Sequence, residues 1–151
     1  MAVRVLFLCP HGAGKSVLAA TYFGAAAARI GLDVDASTAG TEPDDAVMPN
    51  VRAALEAQGF EVLTMPPRLV TTDELLTADV VVNIGCEPDT FAVDRPITHW
   101  DVPLLILRVN IRRASYIFHP NMSKIPVCQP IDQATVTQQL CPAAYPEAQA
   151  H

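Results

Sequence analysis

The sequence predicts a small α/β domain: a doubly wound, mostly parallel sheet with helices on both faces. Three observations predict it. Short apolar, β-branched runs alternate with amphipathic stretches through residues 3–103. The first run passes through a glycine-bearing loop straight into a helical pattern, the strand–loop–helix unit from which parallel sheets are built. With 151 residues, half of them hydrophobic, the chain has enough apolar material for one core.

Val3 to Leu8 is apolar apart from Arg4 and shows no alternation, as in a strand covered on both sides. Cys9 to Gly14, with Pro10, Gly12 and Gly14, reads as a loop. A helix follows from Ser16. Leu18, Tyr22, Ala26 and Ile30 recur at steps of four on one face, and Gly31 suits its end. Asp33 to Thr41 is the second strand. Pro49 suits the first turn of a second helix, in which Val51, Ala54, Leu55 and Gln58 share a face and Gly59 is the stop. Phe60 to Leu63 reads as a short strand. Thr71 to Glu74 has capping-box spacing and opens a short third helix. Val80 to Ile84 is another buried strand, and Pro96 to Trp100 holds the last short one. On such sheets ligands sit beyond the carboxyl ends of the strands. The Cys9 loop, Gly85–Cys86 and Trp100–Asp101 all fall there.

Composition divides the chain after Pro103. Residues 1–103 carry 6 basic and 14 acidic side chains, a net of −8, whereas residues 104–151 carry 4 and 2, a net of +2. Five prolines interrupt the second part, from Pro120 to Pro146. The expected organisation is therefore an α/β domain over 1–103 and an irregular C-terminal extension over 104–151.

The net charge of −6 argues against nonspecific binding to nucleic acid. The longest apolar stretch near the start, Val5 to Cys9, is too short for a signal-peptide core or a membrane span, so a cytoplasmic protein is expected. Cys9, Cys86, Cys128 and Cys141 form no C-x-x-C pair and do not suggest a disulfide framework. Scattered histidines give no metal-site spacing, so neither metal nor cofactor is expected. The sequence carries no signal for an oligomeric state.

The chemistry concentrates in Cys9-Pro10-His11-Gly12-Ala13-Gly14-Lys15-Ser16. A loop between strand and helix can turn several N–H groups onto a tetrahedral anion, and the helix N-terminus adds about half a positive charge. Gly12 and Gly14 permit the positive φ of a tight nest. Lys15 supplies a full charge. Cys9 would face the anion as a thiolate nucleophile, Ser16 could donate to its sulfur, and Asp101 could protonate a leaving group if the fold brings it near. Gly14-Lys15-Ser16 also matches half of a nucleotide-binding loop, but that loop requires glycine where this chain has Cys9.

Cys9-x5-Lys15-Ser16 after Val5 to Leu8 resembles the C-x5-R-S loop of low-molecular-weight protein tyrosine phosphatases and their relatives, the thiol-dependent arsenate reductases. Ser37 to Thr41 is similar to that family's second strand. Pro67 to Thr71, Asp73 to Leu75 and Ala78 to Val82 resemble the stretch that follows. His99-Trp100-Asp101-Val102-Pro103 resembles the H-W-x-x-P before the acid loop of the reductase branch. The resemblance covers residues 3–103. It implies the phosphotyrosine phosphatase I-like fold, Cys9 as nucleophile, residues 10–15 as oxyanion binders and Asp101 as general acid.

The chain departs from the family pattern at three places. Lys15 replaces the arginine, keeping the charge but losing the planar fork; one lost charge-assisted hydrogen bond is worth about 1.5–3 kcal/mol. Asp101 precedes Val102-Pro103 rather than sitting in an Asp-Pro pair. The family's closing helix is not visible after Pro103. Three functions follow. A phosphatase-like hydrolase acting on phosphate monoesters or phosphotyrosine comes first. An arsenate reductase using the same loop comes second, with Cys86 or an external thiol as reductant. A catalytically weak oxyanion-binding module comes third. In each the partner is a small oxyanion or a phosphorylated substrate.

Overall fold

The computed structural model describes residues 2–62 and 66–102. Its elements are β1 (Val3–Cys9), α1 (Lys15–Arg29), β2 (Val34–Gly40), α2 (Pro49–Ala57), α3 (Thr72–Thr77), β3 (Val80–Asn83), a single 3-10 turn (Pro88–Thr90) and β4 (Thr98–His99). The strands lie in the order β2-β1-β3-β4, and each neighbouring pair is parallel. The chain thus winds one way from β1 to β2, then returns across β1 to β3. The switch point lies between the carboxyl ends of β1 and β3.

Period-two alternation in the two central strands builds a core on each face. Val5, Phe7 and Cys9 of β1, with Val80 and Val82 of β3, pack against Val17, Leu18 and Phe23 of α1 and Val51 and Leu55 of α2. Leu6, Leu8 and Val81 face the other way and pack with Leu75 of α3. Helices therefore cover both faces, as the unbroken apolar runs require. Phe7 anchors the larger core, with ring centroids 5.5 Å from Phe23 and 5.6 Å from Trp100.

The expected strand at Phe60 to Leu63 does not form over 60–62; Leu63 lies outside the described residues. The reason is the end of α2. Gly59 adopts φ +83°, and the Phe60 N–H reaches back to the Leu55 carbonyl at 3.0 Å, the six-to-one bond of a helix cap. That bond turns Phe60 onto Tyr22, ring centroids 5.7 Å apart, instead of into the sheet. The sheet accordingly has four described strands, and every pair of neighbours among them is parallel, in keeping with the expected α/β fold. The irregular extension expected over 104–151, with Cys128 and Cys141, lies outside the described residues.

The capping box expected at Thr71 is present: its hydroxyl accepts from the Glu74 N–H at 3.2 Å, and the Glu74 carboxylate accepts from the Thr71 N–H at 3.0 Å. Arg68 pairs with the same carboxylate. At the other end of α3, Arg95 donates to the carbonyls of Leu75 and Ala78, both at 2.6 Å. No described helix is long and apolar enough to cross a membrane.

Two outcomes follow. Phe7→Ala should lower unfolding free energy by about 3–5 kcal/mol, read as a fall in the urea midpoint. Burial acts to raise the Glu74 pKa, but the hydrogen bonds from Arg68 and Thr71 outweigh it and the net shift is downward. A lowered pKa gives stability that is full above the unfolded-state value and is lost as pH falls through the folded one. Glu74→Gln should therefore flatten the acid side of the stability–pH curve, and an unchanged curve would count against this pairing.

Candidate active site

The loop after β1 is shaped by where its carbonyls go. Pro10 O accepts from Glu42 N–H at 2.8 Å, His11 O from Asp44 N–H at 3.1 Å, and Ala13 O from Met48 N–H at 2.9 Å. Among the described residues, no backbone carbonyl accepts from an N–H of residues 11–16. Those donors are left for a ligand, the arrangement of an anion nest. Gly12 takes φ +59°. Gly14, in contrast to the sequence expectation, has φ −134° and serves as the N-cap of α1. Its backbone makes the turn into the helix without the left-handed conformation. The helix start has neither a side-chain cap nor an acidic residue in its first turn, so its positive end is not neutralised locally.

Gly40 makes the close fit possible. It pairs with Cys9 across the sheet, and a Cβ there would lie 2.8 Å from both Gly12 N and Pro10 O. Any side chain at position 40 would push the loop off the strand ends.

Cys9 is buried at the last position of β1, and its Sγ lies 3.2 Å from Ser16 Oγ. A hydroxyl at this distance can donate to a thiolate. Ala13 and Ser16 are fully buried and Gly12 and Gly14 are buried, whereas Pro10 is half-buried. His11 is exposed and points away toward Asp44, with Nδ1 3.2 Å from Oδ1.

Cys86 is buried in the turn after β3. Burial pushes its thiol up to about 11; the charge of Cys9 adds to the rise, and the Thr41 hydroxyl, 4.0 Å away, opposes it. Cys9 and Cys86 belong to cores on opposite faces, and both stand at the carboxyl edge of the sheet. Asn83, almost wholly buried, fixes the Cys86 backbone. Its Oδ1 accepts the Cys86 N–H and its Nδ2 donates to the Cys86 carbonyl, both at 2.9 Å. The same Nδ2 lies 3.3 Å from His99 Nδ1, which suits a ring whose proton is on Nε2.

Lys15 is the first residue of α1. Its Nζ donates to the Val102 carbonyl at 2.8 Å and lies 3.7 Å from where a Gly85 Cβ would stand. The fold thus brings the 101–102 backbone to the anion loop. The Asp101 side chain is exposed. No three His, Cys, Asp or Glu side chains among the described residues group as metal ligands.

Sequence reasoning placed Gly85 at the functional edge but missed Asn83, the close approach at Gly40 and the Val102 carbonyl. Asn83 had a signal: it is the single polar residue in the apolar run Val80 to Ile84. The role of a backbone carbonyl from residue 102 had none, because only the tertiary fold pairs it with position 15.

A four-stranded parallel sheet with a thiol-headed anion loop at its switch point defines the class of protein. The chain belongs to the low molecular weight phosphotyrosine protein phosphatase family, whose model matches residues 4–89. It is 34% identical over 93 residues to a curated Halobacterium salinarum protein provisionally named an arsenate reductase; that alignment covers 58% of this chain and 66% of the relative. The fold is similar to that of the Corynebacterium glutamicum thioredoxin-dependent arsenate reductase, with TM-score 0.64 and 24% identity, over 82% of this chain and 59% of that one. It is also similar to an Archaeoglobus fulgidus arsenate reductase, with TM-score 0.57 and 22% identity, over 90% of this chain and 98% of that one. A low molecular weight protein tyrosine phosphatase from T. tengcongensis has TM-score 0.58 and 17% identity, over 82% and 99%. The chain spans just under two thirds of the halobacterial relative and less of the corynebacterial one.

Cys9 should alkylate faster than Cys86 at neutral pH, and inorganic phosphate should protect Cys9 selectively. Because the charge of Cys9 raises Cys86, Cys9→Ser should move the Cys86 titration below about 11. Peptide mapping of alkylation against pH reads both; a Cys86 midpoint indifferent to Cys9→Ser would show that the sulfurs are not coupled.

Proposed function

We propose that the chain is an arsenate reductase in which Cys9 attacks arsenate and Cys86 discharges the adduct. One observation carries this reading: Cys86 is buried in the turn after β3 at the same carboxyl edge as Cys9, with its Sγ 4.0 Å from the hydroxyl of Thr41, whose neighbour Gly40 pairs with Cys9. The names of the halobacterial, corynebacterial and archaeal relatives point the same way.

The loop N–H groups and the start of α1 hold the tetrahedral oxyanion over Cys9. The thiolate attacks arsenic, a sulfur–arsenic bond forms, and an oxygen leaves as water with a proton from Asp101. Cys86 then attacks the Cys9 sulfur. A disulfide forms, the sulfur–arsenic electron pair stays on arsenic, and arsenic(V) leaves as arsenic(III). The two thiols supply both electrons, and an external dithiol reduces the disulfide. Burial raises the Cys86 thiol to about 11, so Cys86 rests protonated at neutral pH and gives up its proton as it attacks. Disulfide closure needs Cα atoms within about 7 Å.

A phosphatase reading is favoured by a different observation, the tie between Lys15 and Val102 beside Asp101. There Cys9 would take a phosphoryl group, Asp101 would protonate the leaving oxygen, and water would release phosphate.

The expected result is that Cys86→Ser abolishes thiol-dependent arsenate reduction and traps Cys9 in an adduct, seen by intact-mass analysis. A parent that hydrolyses an aryl phosphate but never reduces arsenate would instead establish the phosphatase. A parent that binds phosphate and turns over neither compound would leave an oxyanion-binding module.

A further inference from the structure

Lys15 stands at the loop position that the phosphatase pattern fills with arginine, but its ammonium is engaged elsewhere. Nζ donates to the carbonyl of Val102 at 2.8 Å. It crosses from the start of α1 over the turn after β3, passing 3.7 Å from where a Cβ of Gly85, at φ +89°, would stand. We propose that Lys15 is a positioning residue: it ties the segment carrying Asp101 to the anion loop, while the loop N–H groups hold the anion.

The segment needs such a tie. β4 is only two residues long. Beyond it, the Trp100 N–H donates to the Asn83 carbonyl at 2.9 Å, and this is the last backbone bond among the described residues on that side. Val102 is buried, so its carbonyl is a fixed acceptor, while Asp101 between them is exposed. Holding both flanks of an exposed carboxylate restricts where it can reach without burying it. Lysine suits this task. A compact ammonium on a flexible stem reaches one carbonyl beside a glycine, whereas a planar guanidinium is built to grip two oxygens. This inference rests on the proposed role of Asp101 as the proton donor, which is common to arsenate reduction and phosphate-ester hydrolysis.

Two variants test it on the full chain: Lys15→Met, which keeps the length but has no donor, and Lys15→Arg, which keeps a donor. Hydrogen exchange reads the tie without turnover. The peptide spanning residues 98–102 should exchange faster in Lys15→Met and near the parental rate in Lys15→Arg. Equal exchange in all three proteins would overturn the tie, whatever the enzyme's reaction. Phosphate protection of Cys9 from alkylation reads anion binding separately. Lys15→Met should weaken it by no more than about threefold; a loss of about a hundredfold would make Lys15 a direct anion ligand and overturn the proposal. Turnover then tests the route through Asp101. With whichever substrate the parent uses, Lys15→Met should cost kcat little or nothing further in an Asp101→Asn background. Multiplying losses would overturn the positioning role. A parent inactive on both substrates would refute the proposed function while the exchange result still decides the tie.

Discussion

The candidate site depends on one constraint: the carbonyls of the loop after β1 are held outward by the N–H groups of residues 42, 44 and 48. A backbone segment has equal numbers of donors and acceptors apart from proline, so engaging the acceptors on one side presents the donors on the other. Gly40 sets how closely the loop can lie against the sheet. The segment after β2 is therefore part of the site although it need not touch a ligand. A change at residues 40–48 would alter the anion loop as directly as a change within it.

The sheet order places the remaining parts. The chain leaves β1 toward one side and β3 toward the other, which opens a gap at their carboxyl ends. Cys9 enters it from the core under α1 and Cys86 from the core under α3. Two cysteines far apart in sequence and packed on different faces thus come to the same edge of the sheet. Asn83 makes one side of that arrangement rigid. Its amide closes both backbone polar groups of Cys86 and reaches His99, so the turn after β3 is fixed to β4.

The electrostatics of the site are local. The described domain is acidic, and Glu42, Asp44 and Asp45 follow directly on β2. An oxyanion is therefore not drawn in by net charge. One bound over Cys9 would be met by oriented N–H dipoles and an uncapped helix start, which act over about one helical turn. Lys15 adds a full positive charge there, but that charge is directed at a carbonyl.

The sequence by itself determined the layered α/β architecture, because unbroken apolar runs such as Val80 to Ile84 must be covered on both sides. It determined the strand–loop–helix unit of Cys9 to Ser16 and the capping box at Thr71, since both are contiguous and follow from local backbone chemistry. It misjudged Phe60, where apolar, β-like composition could not show that a glycine turn would direct the ring onto Tyr22. Its expectation of a left-handed Gly14 failed for a related reason: a glycine permits positive φ but does not require it. Only the tertiary structure decided that Cys86 is buried at the sheet edge where β1 ends, that Asn83 fixes Cys86, and that Lys15 reaches a carbonyl 87 residues away. Those relations join segments separated by whole elements, and a backbone acceptor leaves no trace in residue identity.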